Sequence, residues 1–231
     1  MPETQDEAFD QNAAAPLPMA YRLLTACSAV GAVIFTAVYL IEGVTRPDYN
    51  PWQQAISALS LGPGGWVQQA NFIVYGVLTL CSVAGWREAL KPGVGETWYP
   101  ILKVMSGLSL IIVGLFVTNS GPGYPPGAVV AVRTLHGTIH NIFSYVSITA
   151  AWISCFVLAR RFVAERRWPG WTAYSVITGL LTIVLIAAFG AEGAHGGLAG
   201  LFERLATAAP ALWGLLIVVR LWTGTGRLST S

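Results

Sequence analysis

The sequence predicts an all-α fold: a polytopic membrane protein with six transmembrane helices in one bundle and both termini cytoplasmic. Three observations carry this. Of 231 residues, 54% are hydrophobic and 10% charged, whereas soluble domains carry about 25% charged residues. Six apolar segments are each long enough to cross a bilayer core of about 30 Å, which takes about 20 helical residues. The basic residues also divide unevenly between the two sides that six spans define.

Residues 1–17, "MPETQDEAFDQNAAAPL", are polar and acidic and read as a disordered cytoplasmic tail. A cleaved signal would start with a basic segment, so the first apolar run is expected to stay as a span. The membrane domain covers 18–224, with spans at 20–43, 67–87, 101–118, 134–159, 170–190 and 203–222. A short cytoplasmic tail, 225–231, follows. These runs are too long for barrel strands, and within lipid only helices or closed barrels satisfy the backbone. Pro100 suits the first turn of the third span. Gly31, Gly76, Gly107, Gly114, Gly179 and Gly214 are small enough to let helices approach closely.

Ten of the 13 basic residues fall on the side of the termini: Arg22, Arg87, Lys91, Lys103, Arg160, Arg161, Arg166, Arg167, Arg220 and Arg227. Only Arg46, Arg133 and Arg204 fall on the other. Basic residues favour the cytoplasmic side, so a plasma-membrane protein with cytoplasmic termini is expected. Trp86, Trp98, Trp168, Trp171 and Trp222 are expected in the interfacial belts. The net charge of +2 leaves no basic face for nucleic acid. Cys27, Cys81 and Cys155 lie in apolar segments, at spacings that suit neither a disulfide framework nor a zinc site.

The unusual chemistry collects on the outer side. The first outer loop is "EGVTRPDYNPWQQAISALSLGPGGW", residues 42–66. The second is "TNSGPGYPPGAVVAVR" and the third "AEGAHGGLAG". "LHGTIHN" sets His136 and His140 four apart, which stacks them on one helical face. Such a pair can share zinc with His195 or a carboxylate as a third ligand, act as acid and base without metal, or bond loop carbonyls. No cofactor is expected beyond that zinc possibility. Glu42 ends the first span; Glu203 and Arg204 open the sixth. Ionisable groups at membrane depth are usually paired or face a cavity, and Glu203 also suits a helix N-terminus. Arg46 can hold a phosphate or carboxylate, or pair with Asp48 or Glu203. Ser57 has no nucleophile motif around it and can cap or line a short helix. Asn71 is expected to bond a neighbouring helix.

These segments resemble the bacterial membrane family called domain of unknown function 998. The likeness runs through "EGVTRPDYNPWQQAISALSLGPGGWVQQANFIVYGVL", "TNSGPGYPPG", "LHGTIHN" and "GLFERL". It covers nearly the whole chain after the tail and implies six spans without a settled activity. A more distant likeness is to the six-span Frag/DRAM/Sfk group, which implies a link to lipid handling. The family pattern carries an acid where Asn119 and Asn141 stand and lacks His195, which counts against a carboxylate at either point and against a three-histidine site.

The expected site is therefore an outer polar pocket lined by Glu42, Arg46, Asp48, His136, His140, Glu203 and Arg204, with Ser57, Asn71 and Asn119 contributing to binding. Its expected ligand is a membrane lipid or isoprenoid. Glu42 or Glu203 would be the general acid and a histidine the base. A carboxylic acid in an apolar pocket favours its neutral, proton-donating form, as olefin protonation requires; membrane terpene cyclases are a chemical analogy. The alternatives are a structural or accessory protein whose polar cap holds the bundle together, and a transporter. Transport is disfavoured by the lack of charge at mid-membrane depth and of an inverted repeat.

Overall fold

The computed structural model describes residues 16–121, 123–129, 132–164, 170–192 and 197–224. The expected tails up to residue 15 and over 225–231 lie outside them. So do Arg166, Arg167, Trp168, His195 and Arg227.

Seven α-helices are described: α1 (Met19–Thr45), α2 (Gly65–Cys81), α3 (Val83–Ala89), α4 (Trp98–Leu115), α5 (Leu135–Ala164), α6 (Trp171–Glu192) and α7 (Ala199–Thr223). A 3-10 helix spans Ile56–Ser60. Helices α2 and α3 form one span, Gly65–Ala89, so six spans are long and apolar enough to cross a membrane. The surface confirms the solvent they expect. Helix α6 buries Ser175, Thr178, Gly179 and Thr182, while Ile177, Leu180, Leu181 and Val184 point outward. This reverses the pattern of a water-soluble helix.

Each span packs on its neighbours in the chain, and α7 returns to pack on α1. The result is a closed ring. Among the described residues, contact across it is confined to a short approach of α5 to α7. We call the end with the 46–64 and 116–134 connections the rim, and the end where α1 begins and α7 ends the base. At the base, the Arg22 guanidinium on α1 donates to the Trp222 carbonyl at the end of α7, and Trp222 returns its indole N–H to the Arg22 carbonyl at 3.2 Å. This exchange closes the ring.

Close approach between α2 and α4 depends on glycine. A Cβ at Gly76 would stand 2.6 Å from the Gly107 carbonyl oxygen, and one at Gly114 would stand 2.6 Å from that of Gln69. Gly214 has open space around it, so it is not part of this packing.

Two expectations at the base are corrected. Trp86 is not in an interfacial belt: it is fully buried, with its indole N–H on Ser28 Oγ at 3.2 Å. It sits there because α3 folds in against α1. Arg161, counted above with the basic residues that set the orientation, does not stand at the surface. It is fully buried and donates to the carbonyls of Leu90 and Pro92, both at 3.0 Å.

Gly76→Ala and Gly107→Ala are expected to destabilise the bundle by about 1–3 kcal/mol through overpacking. Gly214→Ala should have no such effect. Thermal unfolding in detergent, followed by circular dichroism, checks both.

Candidate functional site

The rim loop is held by charges at the ends of α1 and α7. Arg46, just past α1, pairs with Glu42 one turn back. The same guanidinium donates to the carbonyls of Pro63 and Gly64. Gly64 stands at φ 82°, a conformation that favours glycine. It turns the chain into α2. Arg46 thus takes Glu42 as its partner, not Asp48 or Glu203. Asp48 is exposed, with φ 59°.

Arg204 does the same work from α7. It donates to the Gln54 carbonyl at 3.0 Å, to the Gly200 carbonyl at 2.9 Å and to the Tyr49 hydroxyl at 2.6 Å. Burial pushes the Tyr49 phenol above its ordinary range, and the Arg204 charge opposes that. Burial likewise raises Tyr124, against the pull of Arg46. Glu203 accepts the backbone N–H of Ile56, the first residue of the 3-10 helix. A Cβ at Gly200 would stand 2.4 Å from the Gln54 carbonyl oxygen, so the loop lies directly on the first turn of α7.

The two histidines part company. His140 is buried, and its Nδ1 lies 3.0 Å from the Val113 carbonyl and 2.7 Å from that of Phe116, at the end of α4. Two acceptors around Nδ1 require the proton there. Nε2 is then a bare acceptor, buried without a partner. His136 is exposed and packs on the Phe116 ring, with centroids 5.2 Å apart. Among the described residues no group of three or more His, Cys, Asp or Glu side chains could hold a metal, and His195 lies outside them. Asn119 accepts the N–H of Thr134 at 2.8 Å, and Thr134 accepts that of Gly137 at 2.9 Å, which caps α5. Asn71 donates to the Phe35 carbonyl on α1 at 3.1 Å.

The middle of the ring is a cavity of about 440 Å³. Of the ten residues expected to act or bind, Ser57, Asn119, His140 and Glu203 line it. Glu42, Arg46, Asp48, Asn71, His136 and Arg204 do not. The wall is largely apolar, with Phe35, Phe72, Leu110 and Phe189 among its residues. Asn141, Tyr145 and Gly190 line it and are exposed. The cavity therefore reaches the outer surface between α5 and the rim half of α6.

Sequence reasoning missed two features. One is a stripe of small polar residues on α5, Ser144, Ser147 and Ser154, which all line the cavity. Its helical spacing was readable. The other is Lys103, which lines the cavity near the base instead of standing with the basic residues of the terminal side. It stands five residues inside α4, which starts at Trp98.

A family model described as Protein of unknown function (DUF998) matches residues 29–220. The chain belongs to this DUF998 family. The match takes in every residue that lines the cavity. No curated protein and no solved structure matches the chain.

Arg204→Lys is expected to lower stability by about 2 kcal/mol or more, because a point charge cannot replace a planar fork serving three acceptors. Limited proteolysis should then cut within 49–60 faster than in the wild type. An unchanged cleavage rate would show that the loop is held elsewhere.

Proposed function

We propose that this DUF998 protein binds a membrane lipid or isoprenoid in its central cavity. The proposed setting is the plasma membrane, with the termini cytoplasmic and the rim extracytoplasmic. One observation carries the reading: a largely apolar cavity opens sideways, between α5 and α6, on a surface made of outward apolar side chains. A ligand enters such a cavity from lipid without crossing water. The volume falls within the range of small-molecule sites, about 300–1,000 Å³.

The bonds of Glu42, Arg46 and Arg204 support a different role for those residues, that of holding the rim. They carry the accessory reading for the cap but not for the cavity. A second functional reading, chemistry on the bound lipid, is favoured by one specific observation. His140 and Glu203 line the same cavity; His140 keeps one ring nitrogen buried without a partner, and Glu203 has one oxygen held by Ile56. His140 is the candidate base and Glu203 the candidate acid. Glu42 and His136 do not line the cavity and drop out of this pairing.

Native mass spectrometry from gentle detergent tests the binding reading. Wild type and Arg46→Ala are expected to carry a lipid-mass adduct. Ala151→Trp, which fills the cavity wall, should lose it. Equal loading in all three, or none in any, overturns the proposal. If the bound lipid is also turned over, His140→Gln and Glu203→Gln keep the adduct but lose at least about 100-fold in turnover, measured by mass shift of the extracted lipid.

A further inference from the structure

The lipid-binding reading leaves the ligand's head group unspecified, and any assignment of that head group rests on the same reading. Lys103 lies in α4, ten residues from Val113, which lines the rim half of the same cavity. At about 1.5 Å per residue, that is about 15 Å along the helix axis. One side of the Lys103 ammonium is covered by aromatic rings: its Nζ lies 5.4 Å from the Tyr99 centroid and 6.0 Å from that of Trp86. Among the described residues no carboxylate pairs with it. The acidic residue of the cavity wall, Glu203, stands in the second turn of α7 from the rim.

A cation at membrane depth is costly unless something compensates it, and ring faces compensate only part of it. Hydroxyls stand close by on the cavity side. Ser106 is three residues along α4 from Lys103, and its Oγ lies 3.1 Å from Ser147 Oγ on α5. Ser154 lines the wall two turns nearer the base. A cation with hydroxyl donors beside it is the donor set that an oxyanion requires. The lateral opening stands at the rim end, away from the lysine.

We propose that Lys103, with Ser106 and Ser147, is the head-group site for an anionic amphiphile, whose phosphate or carboxylate sits deep in the cavity while its tail leads to the opening between α5 and α6. The charge fixes the class of ligand and the cavity fixes its direction.

Three brominated probes test this in detergent: a brominated fatty acid, a brominated lysophosphatidate and a brominated monoacylglycerol. The readout is saturable quenching of tryptophan fluorescence, since Trp213 lines the cavity and Trp86 flanks Lys103. The wild type is expected to bind at least one anionic probe about tenfold or more tighter than the neutral one, the scale of one charge-assisted hydrogen bond. Lys103→Gln should reduce that preference to near unity while keeping neutral binding, and Lys103→Arg should retain it. Should Lys103→Gln not fold, Ser147→Ala, expected to weaken anionic binding alone, takes its place. The tighter anionic probe identifies phosphate or carboxylate as the head group. Equal binding of anionic and neutral probes, or a preference that survives Lys103→Gln, overturns the head-group site and leaves the lipid cavity standing. No saturable quenching by any probe overturns both.

Discussion

Backbone carbonyls at the ends of membrane helices must be hydrogen-bonded where water is scarce, and in this fold arginine supplies the donors. Arg22 serves the end of α7, Arg46 the turn into α2, Arg161 the connection after α3, and Arg204 the loop over the rim. A guanidinium has five N–H donors in a fixed fork. It can close several carbonyls at once, which suits a loop with few side chains of its own to offer. The central cavity depends on these four contacts, because they hold the helix ends together around it.

A ring held at its ends can remain empty in the middle. The two buried apolar clusters sit towards the two ends, one around Trp86, Tyr99 and Trp213, the other around Phe35, Tyr39 and Ile56. Between them the cavity wall mixes apolar side chains such as Leu110, Ile148 and Ile186 with the hydroxyls of Ser106, Ser144 and Ser147. Under the proposed binding reading, these hydroxyls would offer a ligand polar contacts. Phe35, Ile56 and Trp213 belong to these clusters and also line the cavity, so the same side chains serve packing and wall.

The spans were legible because bilayer thickness sets their length and apolar residues dominate each of them over that length. Their ends were less so: α7 begins at Ala199 rather than 203 because the rim loop packs onto its first turn. Arg204 and Arg161 were visible as charges, but their partners are main-chain oxygens, which every residue possesses and no sequence pattern marks. Lys103 misled because it lies two residues inside the expected start of its span, where a lysine normally reaches back to the interface. The helix instead starts at Trp98, and that shift of three residues places the lysine nearly a turn deeper. The serine stripe of α5 was readable from its spacing alone, but its significance needed the ring: only an inward face makes it a wall.

Helix α6 has an unusual position in this ring. It touches only α5 and α7 among the described residues, and it is the least enclosed of the six spans. The main-chain carbonyls that the four guanidiniums serve lie on other elements. One edge of the lateral opening is therefore the least tethered strut of the frame. Under the proposed binding reading, a ligand passing this opening would meet the least buried span on one side, whereas the arginine contacts that close the helix ends lie on the other elements.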